Sequence, residues 1–150
     1  MDLILWRHAE AEETWPDLPR KLTARGEKEA VRVAKWLRQQ LPAKFAVVAS
    51  PAERTQQTAN ALGVPFKTVQ SLAPGATVPE ILAAAGWPAE EGTVVVVGHQ
   101  PGLGQAAAHL VAGEETDWTI KKGGLWWLTG RQRHGRDQVV VTAVLSPDLL

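Results

Sequence analysis

The chain has 150 residues, of which 21% are charged and 45% hydrophobic, so it falls in the ordinary globular range and suits one unit, residues 1–150, with a sizeable core. Sixteen basic and sixteen acidic side chains give a formal net charge of zero, which speaks against a nucleic-acid partner and makes any cationic site a local one. Cysteine is absent, which excludes disulfides, thiol catalysis and cysteine metal sites and fits a cytoplasmic location.

The apolar run Leu3–Trp6 predicts a short buried strand; it is too short for a signal peptide, and no stretch reaches the roughly 20 apolar residues of a membrane helix. Pro16 and Pro19 mark an irregular loop. Thr23 is a helix N-cap with Glu27 beyond it, and Ala30, Val33, Ala34, Leu37 and Leu41 recur at helical spacing until Pro42. "FAVVAS" predicts a second buried strand, "AERTQQTANAL" a second helix closed by Gly63, and "FKTVQ" a short, more exposed strand. "PEILAAAG" predicts a third helix. "TVVVVGHQ" is a strand covered on both faces, followed by the helix "PGLGQAAAHLVAG". "GGLWWLTG" and "QVVVTAVL" are two strands, with "RQRHGRD" as the loop of a hairpin. The alternation predicts a three-layer α/β/α domain with a mainly parallel sheet and an antiparallel element near its end. Seven tryptophans and no tyrosine are read as core and edge packing; Trp15, Trp118, Trp126 and Trp127 are candidates for a docking surface.

In parallel sheets ligands bind beyond the carboxyl ends of the strands. Three strands end in related chemistry: Arg7-His8, Ser50-Pro51 with Arg54 just beyond, and Gly98-His99. If these strands are neighbours, two arginines and two histidines converge on one crevice that suits a phosphate. Arginine supplies a permanently charged fork, and the helix starts after Ser50 and His99 add N–H groups and a favourable dipole. A histidine attacks phosphorus if a backbone acceptor holds one ring nitrogen as N–H and the other is bare; a second, protonated histidine would stabilise the equatorial charge. His109 and His134 are read as structural or surface residues. A zinc site of two histidines with Glu10 or Glu12 is opposed by the neighbouring arginines, so no metal and no other cofactor is expected. Ser50 lacks the G-x-S-x-G elbow of a serine nucleophile.

The blocks "LWRHAEAE", "LTARGEKEA", "SPAERTQQTA" and "VVVVGHQPGL" resemble the histidine phosphatase superfamily, and most of all its short SixA-type phosphohistidine phosphatases. The resemblance implies a six-stranded mixed sheet of the phosphoglycerate-mutase-like kind. It implies His8 as the nucleophile that is phosphorylated, Arg7 and Arg54 as the phosphate clamp, and His99 as the second pocket histidine; Arg25 is a weak candidate. Two departures stand out. Ala9 replaces the usual glycine, and Gln100 stands where phytase-like members carry an aspartate acid. Glu10, Glu12 and Glu80 are the possible proton donors. Between Gly63 and Thr93 there is no room for a large lid, so the site is expected to be open. An open site without a strong acid suits phosphohistidine on a partner protein, such as a phosphotransfer module in signal transduction, because imidazole leaves more easily than an alkoxide. The alternatives are a phosphatase for small phosphate esters and a non-catalytic module that binds phosphate or phosphohistidine. A monomer is favoured.

Overall fold

Four consecutive valines leave a strand with no polar face, so such a strand must be covered on both sides. The computed structural model, which describes residues 1–150, places them in β4 (Thr93–Gly98), where every residue is buried. The strands β1 (Asp2–Arg7), β2 (Ala46–Ala49), β3 (Lys67–Thr68), β5 (Leu125–Arg133) and β6 (Arg136–Leu145) join it in one sheet of order β3-β2-β4-β1-β5-β6. β4 is parallel to β1 and β2, and β3 is parallel to β2, whereas β5 is antiparallel to β1 and β6. This is the expected mixed, mostly parallel α/β sheet of six strands.

Alternation along the strands divides the core in two. Leu3, Leu5, Val94, Val96 and Leu128 face α3 (Val78–Ala85) and α4 (Gly102–Ala112), meeting Ile81, Leu103 and Ala107. Ile4, Trp6, Val95, Val97 and Leu125 face α1 (Ala24–Gln40) and the end of α2 (Glu53–Asn60), meeting Val33, Leu37, Ala59 and Leu62. Each fully buried leucine of this kind contributes about 1.5–3 kcal/mol relative to exposure. Thr23 caps α1 by accepting the Gly26 N–H at 3.0 Å. Gly26 allows α1 to press against the loop after β1, because a Cβ there would overlap the Glu10 carbonyl oxygen. No helix is long and apolar enough to cross a membrane.

Two expectations are corrected. "RQRHGRD" is mostly strand, since β5 and β6 pair out to Arg133↔Arg136 and only His134 and Gly135 turn. Their φ values of 54° and 72° fit the tight two-residue hairpin turn that follows the twist of the strands. The hairpin runs past the core with both faces in water, so no apolar alternation marks it as strand. The four named tryptophans also share no surface. Trp126 and Trp127 are adjacent on β5 and so lie on opposite faces. Trp126 packs beside Trp118 at 5.2 Å between ring centroids, while buried Trp127 meets Trp36 edge-on at 6.2 Å. Trp15 alone of the four stands free, 89% exposed.

Candidate active site

Because β1 and β2 both flank β4, the ends of these three strands lie side by side, with Arg7 in register with Gly98. His8 and His99 follow directly, their ring centroids 5.3 Å apart. Arg54 enters from the first turn of α2. The structure thus brings together Arg7, His8, Arg54 and His99, all named from the sequence.

The backbone of His8 is pinned on both edges: its N–H donates to Gly98 O at 3.1 Å, and its carbonyl accepts the Gly123 N–H at 2.9 Å. Its Nδ1 lies 2.7 Å from the Ala9 carbonyl oxygen. A carbonyl only accepts, so Nδ1 carries the proton and Nε2 is left bare. The Ala9 peptide is held by its own N–H, which donates to Thr58 Oγ1 at 3.1 Å; Thr58 in turn donates to Arg54 O at 2.8 Å. Burial pushes the His8 pKa down to about 4; the bond to Ala9 opposes this, and the charges of Arg54, Arg7 and Arg20 assist it.

Arg7 donates from Nη1 to Ile120 O at 2.8 Å, and burial lowers its pKa. Arg54 donates from Nη1 to Asp17 O at 3.0 Å and from Nη2 to Asp17 Oδ2 at 3.1 Å. Asp17 also accepts from Arg20. Burial raises the Asp17 pKa, but the bonds and charges of Arg20 and Arg54 outweigh it and hold the carboxyl below its ordinary range. His99 Nε2 meets Ser50 Oγ at 2.7 Å. What remains is three buried nitrogens without a partner: the donors Arg7 Nε and Arg54 Nε, and His99 Nδ1. Buried polar atoms are nearly always satisfied, so the two arginine donors call for an acceptor from outside the chain, and His99 Nδ1 for a partner. The fourth buried orphan, Trp127 Nε1, belongs to the core.

In the anion-free protein burial pushes the His99 pKa down to about 3, assisted by His8 and Arg54 and opposed by a smaller upward pull from Asp17. At the helix starts the N–H groups of Glu53, Leu103 and Gly104 are taken by Leu18 O, His99 O and Gln100 Oε1, so fewer are free than expected.

None of the three candidate acids bonds to either histidine. The Glu10 carboxylate accepts from Thr23 Oγ1 at 2.8 Å, and Glu12 is exposed. Glu80 closes a capping box with Thr77 at the start of α3. The Thr77 N–H and hydroxyl lower its pKa, which makes it a poor store for a proton. Gln100 is a fastener: it accepts from the Gly104 N–H and donates to Trp118 O. Arg25 is mostly exposed and pairs with Glu29 at 2.8 Å. Asp17 was not singled out from the sequence; an acid between Pro16 and Pro19 carries no signal of its own. A cleft of about 420 Å³ lies beside Arg7, lined by Glu10, Arg25, Lys121, Lys122 and Asp148. Two larger cavities open near the starts of β1 and β4, at the other end of the sheet and away from the four converging residues.

Fold and site together define an α/β protein in which two histidines and two arginines converge at the ends of parallel strands. The profile of the histidine phosphatase superfamily (branch 1) matches residues 3–74. An uncharacterized protein of Picosynechococcus is 34% identical over 137 residues, which cover 83% of this chain and 82% of the relative. A SixA protein from Nakamurella multipartitia superposes with a TM-score of 0.81 at 32% identity, covering 97% of this chain and 95% of its own. The protein histidine phosphatase SixA complexed with tungstate superposes at 0.79, with 25% identity and 99% of both chains covered. The chain belongs to the histidine phosphatase superfamily.

Proposed function

We propose that this protein, one histidine phosphatase domain over residues 1–150, is a phosphatase that works through a covalent phosphohistidine on His8, and that its substrate is phosphohistidine carried by a partner protein. The observation that carries the reading is the set of three unpartnered buried nitrogens, Arg7 Nε, Arg54 Nε and His99 Nδ1, at strand and helix ends that converge on a histidine whose Nε2 is bare. Three spectator oxygens of a phosphoryl group supply the missing acceptors. His8 Nε2 attacks phosphorus in line, the bond to the leaving group breaks, and the donors stabilise the equatorial charge. Water then attacks the same phosphorus, returning His8 and releasing inorganic phosphate. At neutral pH the His8 ring is uncharged, with Nε2 bare, as a nucleophile must be.

The substrate class rests on what surrounds the pocket. Residues 64–92 are taken up by β3, a single 3₁₀ turn at Gln70–Leu72 and α3, with no long insertion over the site. Glu80 and Gln100 are committed to caps. An uncovered pocket without a poised acid suits a good leaving group on a large carrier, such as the imidazole of a phosphohistidine in a phosphotransfer module. Tungstate, a tetrahedral oxyanion, bound to the SixA relative agrees with phosphate as the group held.

The test is trapping. Brief incubation with labelled phosphohistidine protein should give an acid-labile, base-stable adduct on the wild type and none on His8→Ala; label persisting on that variant removes the mechanism. A higher kcat/KM on small phosphate esters than on the phosphoprotein would shift the substrate class to esters. Binding without any turnover would make the protein a reader.

A further inference from the structure

Ser50 is fully buried at the end of β2, next to β4, and its hydroxyl faces His99 from 2.7 Å. A hydroxyl has one proton to give and two lone pairs. One lone pair accepts the Ala52 N–H at 3.2 Å. The only acceptor recorded within reach of the proton is His99 Nε2, and water has no access. If His99 carried its proton on Nε2 instead, the Ser50 proton would be buried without an acceptor. His99 Nδ1, itself buried and without a partner in the chain, would then be a bare lone pair. A lone pair repels an anionic oxygen, whereas an N–H binds it.

We propose that Ser50 is a positioning residue: its hydroxyl donates to His99 Nε2 and so fixes His99 in the Nδ1–H tautomer that donates to the phosphoryl group. The assignment deepens the phosphatase reading and depends on it for its role in turnover, but not for the tautomer. With both ring nitrogens assigned, a neutral His99 delivers one aimed N–H; before an anion binds, burial and then His8 and Arg54 hold its pKa down. It also gives the residue before Pro51 a role that a serine nucleophile would not.

Two measurements test this. Long-range ¹H–¹⁵N spectra of the phosphate-free wild type near neutral pH, assigned with His99→Gln, should show His99 protonated on Nδ1 and bare on Nε2. In Ser50→Ala the two tautomers should mix, and kcat on p-nitrophenyl phosphate should fall about 10- to 100-fold, by analogy with the loss when the outer partner of a metal-bound histidine is removed. Ser50→Thr keeps the hydroxyl and should restore both the tautomer and most of kcat. A wild-type His99 protonated on Nε2 overturns the proposal. So does Ser50→Ala with kcat within about threefold of wild type, far short of that loss. If the wild type turns over neither ester nor phosphohistidine, the phosphatase reading fails, and the wild-type tautomer still decides the Ser50 assignment.

Discussion

Acidification should destabilise this protein well above the pH at which its carboxylates titrate. His8 and His99 are both buried, with pKa values pushed from an ordinary 6.5 down to about 4 and about 3. Below 6.5 the unfolded chain takes up two protons that the folded chain refuses, so stability falls as pH falls, beginning at the unfolded value and ending at the folded ones. At pH 5 each histidine costs roughly 2 kcal/mol relative to pH 8, and the local slope is about 2.5 kcal/mol per pH unit. For a chain of this size that corresponds to a Tm lowered by roughly 8–16 °C. Urea and thermal unfolding in phosphate-free buffers from pH 8 to 5 read the effect directly. His8→Gln and His99→Gln should each remove about one proton from the slope, whatever they do to stability itself. A wild-type change under about 1 kcal/mol over this range, or a slope that neither substitution reduces, would show that the histidines are not held neutral by burial.

His99→Ala, assayed in steady state, should lower kcat by about 100-fold or more, as expected for loss of a donor aimed at transferring charge. A drop under about threefold would place His99 outside the chemistry. Gly26→Ala should destabilise the protein by about 1–3 kcal/mol in urea titrations, since its Cβ would meet the Glu10 carbonyl two residues from His8; an unchanged midpoint would mean that the loop yields freely. Trp15→Ala should weaken activity on the phosphoprotein and leave small-ester activity intact, because this exposed ring stands on the loop that Asp17 ties to Arg54. Equal losses on both substrates would deny it a docking role.

The three-layer plan was readable because the signals were local. The valines of β4 and the stripe Val33-Ala34-Leu37 state their own burial. The four pocket residues were readable for a similar reason, since each ends a strand or starts a helix with a recognisable signature. The hairpin was not, because Arg131–Asp137 projects beyond the core and nothing selects an apolar face there. Adjacent Trp126 and Trp127 suggested a shared surface, but strand periodicity sends them apart. Relations across the sheet were hidden in a different way. That Ser50 touches His99 depends on β2 lying beside β4, and that Asp17 holds Arg54 depends on how a proline-flanked loop folds back on α2. Neither pairing leaves a trace in either residue's own neighbourhood.

The strand that carries His8 takes neither of its neighbours from nearby in the chain: Leu5 pairs with Val96 on one edge and with Trp126 on the other. Along the chain β1 therefore precedes both of its partners, and it has nothing to lie against until β4 and β5 follow. Contacts so distant close slowly and leave an apolar strand unattended meanwhile. Fragments that stop before β5 should hold every pocket residue and still build no pocket. In this sense the site is complete only once β5 has joined the sheet beside β1.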